Sequence, residues 1–273
     1  MPELPEVETI VRNLSQGGTS IVGRRILAAR LLWPRGLETP SPTEFEQRIV
    51  AQVITAVSRR GKFALFHLTS DTLLVHLRMS GDLFSEPTTL PVGRHHRLIL
   101  DLEGELRLAF VDPRKFGRIW LVADPATVLR KLGPEPLAAD FSPQIFQQRL
   151  RQSRRQLKPL LLDQCFIAGL GNIYTDEALH LAKIHPQRIA ATVSEAEAER
   201  LLRAIRQVLS EGIRRSGTSI DWVYRGGDFQ NHLRVYQRTG QPCPECGAPV
   251  QRISLGQRGT HFCPQCQSMG NSP

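Results

Sequence analysis

The spacing of apolar positions changes twice along this chain. Between residues 5 and 16, Val7, Ile10, Val11 and Leu14 recur at helical spacing. Pro5 suits a first turn, and Glu6 and Glu8 suit the positive end of the helix dipole. From about residue 21 to 122 the period shortens. Apolar runs at 50–57, 63–68, 73–77, 98–102, 106–111 and 119–122 are separated by Gly, Pro and Asp clusters, with Gly61 and Gly81 in turns. Many short strands so spaced predict a sandwich or barrel. A Pro/Gly/Ala-rich stretch at 131–140 reads as a linker. Helical spacing then returns at 141–151, 158–165, 175–182 and 194–215. The last of these opens with a capping box, Ser194-Glu-Ala-Glu197. The helical period is lost from Ile220, and 241–267 reads as a cysteine-bearing hairpin. The expectation is an α+β multidomain protein: 1–130, a linker at 131–140, a helical domain at 141–225, and a carboxy-terminal segment at 226–273.

A length of 273 residues agrees with two domains. With 41% hydrophobic and 22% charged residues, wholesale disorder and collagen-like repeats are excluded. No apolar run approaches the ~18 residues of a membrane helix. The start, MPELPEVE, is acidic and lacks the apolar region of a signal peptide, so a reducing, cytoplasmic compartment is expected.

Charge narrows the partner. Lys+Arg is 35 against 26 for Asp+Glu, a net of +9, and only five of the basic residues are lysines. Residues 1–140 hold 18 basic and 16 acidic side chains, and 141–273 hold 17 and 10, so most of the excess lies in the second half. A strongly basic chain rich in arginine forks points to a polyanion.

The tail reads Cys243-Pro-Glu-Cys246, then sixteen residues, then Cys263-Pro-Gln-Cys266. Two C-x-x-C knuckles so spaced are a zinc-site signature. Four thiolates close the tetrahedral shell, which makes one Zn²⁺ structural rather than catalytic. Arg252 and Arg258 lie between the knuckles. Cys165, in an apolar stretch, is expected as a buried thiol.

Met1 is followed by the small residue Pro2, so removal of the initiator Met leaves a secondary amine at the N-terminus. An α-amino group titrates at about 7.7–8.0, so part of it is neutral near pH 7. Such an amine can attack an electrophilic carbon, and the resulting iminium is an electron sink for elimination. Glu3 and Glu6 lie close by as candidate acids. Taken alone, Met-Pro-Glu reads first as a plain helix start, since many proteins begin Met-Pro.

The motifs taken in order resemble one family. MPELPEVET, Gly61-Lys62-Phe63, Leu77-Arg-Met-Ser-Gly81, Asp112-Pro-Arg-Lys-Phe-Gly117, Gly169-Leu-Gly-Asn-Ile-Tyr174 and the four-cysteine tail are similar to bacterial formamidopyrimidine-DNA glycosylases, from Pro2 to about Gln267. The resemblance implies an N-terminal β-sandwich with an N-terminal helix. A helical domain with a helix-two-turns-helix motif and a C-terminal four-cysteine zinc-finger hairpin follows, and duplex DNA lies in a basic cleft. It implies a bifunctional base-excision enzyme that flips a damaged purine, cleaves its glycosidic bond and nicks the backbone. The energetic cost of flipping is smallest for a damaged base.

The resemblance also implies roles. Pro2 matches the nucleophile at the anomeric carbon, and Glu3 the acid that opens the sugar ring. Lys62 matches a proton donor or phosphate anchor. Arg258 matches the zinc-hairpin arginine that holds the lesion phosphate and serves δ-elimination. Met79, Arg114 and Phe116 match a void-filling trio: apolar wedges hold a kinked duplex, and Arg114 meets the orphaned base. For Met79 and Phe116 the alternative is core packing. Asn172 lies in a tight Gly-x-Gly turn whose following amides suit a phosphate. His95, Arg154, Tyr236 and Tyr174 fall at DNA-proximal positions, with core packing equally open for the tyrosines. Between Ile220 and Tyr236 the chain is a few residues short of the family's lesion loop, which touches lesion preference but not chemistry at Pro2.

The expected partner is double-stranded DNA bearing oxidised bases or abasic sites, bound by a monomer with no membrane involvement. Two other readings stay open here. An endonuclease VIII-like enzyme would act on oxidised pyrimidines, although Met79 and Pro113–Phe116 favour purines. A non-catalytic zinc-ribbon binding protein would explain the charge and cysteines but not the coincidence of Pro2, Glu3 and Lys62.

Overall fold

The computed structural model describes residues 1–219 and 226–269. They form two compact units. One is Met1–Arg130 with the described residues of Ser216–Gly227, and the other is Lys131–Arg215 with the described residues of Asp228–Pro273.

In the first unit, α1 (Leu4–Ser15) starts from a reciprocal cap in which the Glu3 and Glu6 side chains each accept from the other's backbone N–H. There follow β1 (Ile26–Leu31), β2 (Leu37–Thr39), α2 (Pro42–Ile49), β3 (Ile54–Arg60), β4 (Phe63–Leu68), β5 (Thr72–His76), β6 (Asp82–Pro87), β7 (His96–Leu102), β8 (Leu106–Val111), β9 (Arg118–Val122) and the short α3 (Ala126–Leu129). Four strands pair in the order β1-β7-β8-β6 and five in the order β2-β9-β5-β4-β3. All pairs are antiparallel except β2 with β9.

Alternation of side chains builds the core. Ala64, Phe66 and Leu68 of β4, with Leu73 and Val75 of β5, share one cluster with Leu98, Leu100 and Leu102 of β7 and Leu108 and Phe110 of β8. The helices cover the sheet margins. α1 packs on β3, β4 and β6, and α2 packs on β1 and β2, so each helix lies against an edge strand of both sheets. Their contributions to the core are Val7, Ile10, Val11 and Leu14 from α1, and Phe45 and Ile49 from α2.

Here the structure departs from the spacing-based reading. Residues 42–49 lie inside the span read as β but are helical. Ser41 accepts from Glu44 N (3.3 Å) and Pro42 occupies the first turn. With only Phe45 and Ile49 buried, the apolar stripe is too short to announce a helical period. The run expected at 50–57 pairs as a strand only from Ile54, because Ala51 takes φ +68° and breaks the extended backbone.

In the second unit, α4 (Pro143–Arg151), α5 (Leu157–Leu161), α6 (Asn172–Leu181) and α7 (Glu195–Arg214) precede the hairpin β10 (Gln251–Leu255) and β11 (Arg258–Phe262). α7 presents Leu201, Leu202, Ile205, Val208 and Leu209 to the interior and packs on α4 and α6. Close approach is set by Gly212, where a Cβ would lie 2.6 Å from the Tyr174 ring. Tyr174 is fully buried and stacks on Phe229 (centroids 5.1 Å), so core packing is its place.

α5 ends at Leu161 rather than continuing to 165. Asp163 Oδ1 accepts from Cys165 N (2.9 Å) in the turn that follows. This turns Cys165 outwards: the thiol expected to be buried is exposed, and Phe166 and Ile167 take the interior positions. Residues of the 131–140 stretch are bonded into this same turn through Gly133 N to Gln164 O (2.8 Å) and Ala168 N to Pro134 O (3.0 Å).

Candidate DNA-repair site

The amino-terminal elements place Pro2, Glu3 and Lys62 in the first unit. Pro2 and Glu3 are buried at the start of α1. Glu3 N donates to Glu6 Oε2 (2.7 Å), and Thr218 N donates to Glu6 Oε1 (2.8 Å). One buried carboxylate therefore holds both the residue after Pro2 and the returning segment at 216–219. Gly217 is required there: its φ is +81°, and a Cβ would lie 2.7 Å from Glu6 Oε1. The sequence marks Glu6 as a first-turn carboxylate and a candidate acid, not as this anchor.

Lys62 lies on the β3–β4 turn, where Gly61 takes φ +58°. Arg59 ties this turn to α1 by donating to Glu8 Oε2 (3.0 Å) and Gly61 O (3.0 Å). Lys62 is 7% exposed. Burial, with the cations Arg78 and Lys62 nearby, pushes the His76 imidazole down to about 3, so it stays neutral. The ring edge of His76 also meets Phe63 at 4.7 Å between centroids.

Met79 and Phe116 are exposed (37% and 44%), so neither is a core residue. Each tops a rigid turn. Gly81 N bonds Leu77 O (3.0 Å) beneath Met79. Asp112, itself buried, organises 112–117: its carboxylate accepts from Ser80 Oγ, from Arg114 N (3.1 Å) and from Gly117 N (2.7 Å). Arg114 lies over the Phe116 ring at 4.8 Å. His95 accepts from Arg94 Nε (3.0 Å), and partial desolvation with the flanking Arg94 and Arg97 holds its ring below the usual range.

In the second unit α6 is buried nearly all round, and its polar residues point inwards. Asp176 pairs with Lys158 Nζ (2.6 Å), both side chains fully buried, and accepts from His261 N (2.9 Å). Glu177 accepts from Arg234 N (2.8 Å), Val235 N (2.9 Å) and Tyr236 N (2.9 Å). Burial raises its carboxyl above the usual range against those three donors. Asn172, the first residue of α6, donates to Gly259 O (3.1 Å), and Lys158 Nζ donates to the same oxygen (2.9 Å). Both therefore hold the residue next to Arg258.

Arg258 is exposed and follows the two-residue turn Gly256-Gln257, where both φ angles are positive (+54° and +62°). Tyr236 is half-buried, its ring edge on His261 (5.1 Å). Arg154 is exposed beside Arg155, which pairs with Asp163 (2.7 Å). Residues 220–225, most of the shortened lesion loop, lie outside the described residues. Lys158, Asp176 and Glu177 were missed by spacing; the available signal was a run of polar residues at positions an amphipathic α6 would bury.

The four cysteines converge, with Sγ atoms of Cys243, Cys246, Cys263 and Cys266 within 4.8 Å of one another. Four thiols at that separation match the donor set of a tetrahedral zinc site. Burial and the neighbouring thiols push Cys263 and Cys266 above the usual thiol range, so a cation is what lets all four ionise together.

A two-sheet unit, a helical unit and a four-cysteine hairpin are the architecture of a multidomain protein with a zinc-finger-type metal site. Family models agree along the chain: the formamidopyrimidine-DNA glycosylase N-terminal domain over residues 1–119, its H2TH domain over 132–223, and the zinc finger found in FPG and IleRS over 240–268. The formamidopyrimidine-DNA glycosylase of Herpetosiphon aurantiacus is 45% identical over 98% of this chain and 100% of its own length. That of Chloroflexus aurantiacus is 46% identical over the full length of both. Among solved structures, Lactococcus lactis Fpg with abasic-site DNA superposes with a TM-score of 0.91 at 37% identity, covering 97% of this chain and 99% of that one. Its complex with N7-benzyl-Fapy-dG DNA gives 0.91 at 38%, covering 98% and 100%. The chain belongs to the formamidopyrimidine-DNA glycosylase family.

Proposed function

We infer that this chain is a base-excision DNA glycosylase with AP lyase activity, acting on oxidised purines in duplex DNA. The observation that carries the reading is the buried Pro2-Glu3 start of α1, fixed by the Glu6 carboxylate through Glu3 N (2.7 Å). The DNA of the Lactococcus lactis complexes, with abasic-site and Fapy-dG lesions, supports the same substrate class here.

After loss of Met1, the Pro2 nitrogen attacks C1′ of the flipped nucleotide and the base leaves. Glu3 supplies a proton to the sugar ring oxygen, and the adduct becomes an iminium. The iminium draws electrons from the C2′–H bond, the 3′ phosphate leaves, and a second elimination removes the 5′ phosphate. Lys62 and Arg258 anchor phosphates or move a proton in those steps. Met79 and Phe116 fill the space left in the stack, and Arg114 faces the unpaired partner base. His95, Asn172, Arg154 and Tyr236 contact the DNA backbone. Bound zinc supplies the cross-link that fixes the hairpin carrying Arg258; Cys243, Cys246, Cys263 and Cys266 hold it. The functional division is a catalytic region at 1–130, a linker at 131–140, a helix-two-turns-helix region at 141–225, and the lesion loop with zinc hairpin at 226–273. The site of action is the bacterial cytoplasm, at the nucleoid.

Borohydride trapping tests this on duplexes with 8-oxoguanine, thymine glycol or an abasic site. The expected result is a protein–DNA adduct on 8-oxoguanine whose cross-linked peptide begins at Pro2. Preference for thymine glycol would replace purines by pyrimidines as substrate. Binding without any trapped species, even at the abasic site, would leave only a DNA-binding protein.

A further inference from the structure

His180 lies near the carboxy-terminal end of α6 and is 1% exposed. Its Nε2 is 3.3 Å from Cys243 Sγ, while its Nδ1 is buried with no hydrogen-bond partner. An unpaired buried nitrogen has a cost, and the polar atom facing the ring is Cys243 Sγ. The chemistry of the facing atom decides which ring nitrogen carries the proton.

A free thiol can donate to or accept from a ring nitrogen. A zinc-bound thiolate has only lone pairs to offer. With zinc in place the Nε2 must therefore carry the proton. The other tautomer would set a nitrogen lone pair against sulfur lone pairs and bury an unmet N–H at Nδ1. Four thiolates around one divalent ion also leave a net charge of −2, which a donated N–H stabilises.

We propose that His180 donates Nε2–H to the zinc-bound Cys243 thiolate and thereby retains the metal, joining the zinc centre to the helix that carries Asn172, Asp176 and Glu177. The proposal rests on zinc occupancy of the four-cysteine site. It extends the hold of α6 on the hairpin: Asp176 fixes His261 of β11, Glu177 fixes 234–236, and His180 fixes the first metal ligand.

The test uses the full-length zinc-loaded protein, His180→Phe and His180→Gln. Phe keeps an apolar ring without a donor, and Gln keeps an N–H near the Nε2 position. Elemental analysis first gives zinc per chain, and zinc release to a colorimetric chelator is then timed. His180→Phe is expected to release zinc about 10–100-fold faster than the parent, with His180→Gln between them. Equal rates for parent and His180→Phe overturn the proposal, and so do equally fast rates for both variants, which would mean packing alone. Should the variants not fold, ¹⁵N-imidazole spectra of the parent protein decide: a proton on Nε2 agrees, and a proton on Nδ1 overturns it. A parent protein without zinc would sink the zinc reading itself, a different failure from zinc present and His180 indifferent.

Discussion

In the first unit Met79, Lys62 and Phe116 sit on turns between strands whose inward faces are apolar, from Phe66 and Leu73 to Leu100 and Phe110. In the second, the hairpin strand that begins at Arg258 is held by residues that are charged and buried: Lys158 donates to Gly259 O, and its partner Asp176 accepts from His261 N. Apolar packing is distributed over many contacts, so one truncation costs what its own methylenes and cavity cost. A buried ion pair or metal site concentrates the cost, because removing one member strands the others. The first unit is therefore expected to weaken by degrees and the second to fail as a whole.

The contrast is broken most severely at the metal. Chelation removes a contribution of about 10–16 kcal/mol on the scale of zinc-finger peptides, and Cys243→Ser removes part of it by taking away one of four ligands. Duplex binding should be nearly abolished and the 240–268 segment should become protease-sensitive; full binding by metal-free protein would contradict the contrast. Next is Asp176→Ala, which leaves the Lys158 charge in the interior without its carboxylate and should cost about 3–5 kcal/mol in denaturant melts. Combining it with Lys158→Met should recover part of that loss. Leu73→Ala, fully buried in the sandwich, should cost about 2–5 kcal/mol while leaving zinc content unchanged.

The smallest effect is a pH slope. His76 is neutral when folded, down to about 3, but takes a proton near 6.5 when unfolded. The unfolded chain thus binds more protons below pH 6.5, so stability is fully present above that pH and falls as pH drops towards 3. Between pH 6.5 and 5 its share approaches about 1.4 kcal/mol per pH unit. His76→Gln should flatten the melting profile by that amount, and an unchanged slope would remove His76 from the account.

Sequence spacing read the two units unequally well. Strands β4 and β8 match their apolar runs end to end, because each is a short, largely apolar run bounded by polar and turn-forming residues. The four-cysteine cluster was legible because metal ligation demands fixed spacing. Helix α2 was not, since two buried residues make no period. Cys165 misled because an apolar neighbourhood in sequence became a turn that faces outwards. The motifs name the candidate reactive side chains, but spacing does not say which residues hold them. Glu6, Asp176 and Glu177 each bind a backbone N–H far along the chain, 212, 85 and 57 positions away, which no local pattern encodes.

That longest bond bears on how the protein is made. Glu6 is among the first residues to leave the ribosome, yet Thr218, which donates to it, appears late in a chain of 273. Domains generally fold as their segments emerge during synthesis. The strands of the first unit can collapse once residue 130 is out, but its buried carboxylate then lacks the Thr218 N–H. The turn after Pro2 thus gains its last hydrogen bond only after the helices between have been synthesised. A nascent chain that stalls before residue 218 therefore has every strand of residues 1–130 but leaves the Glu6 carboxylate without its Thr218 partner.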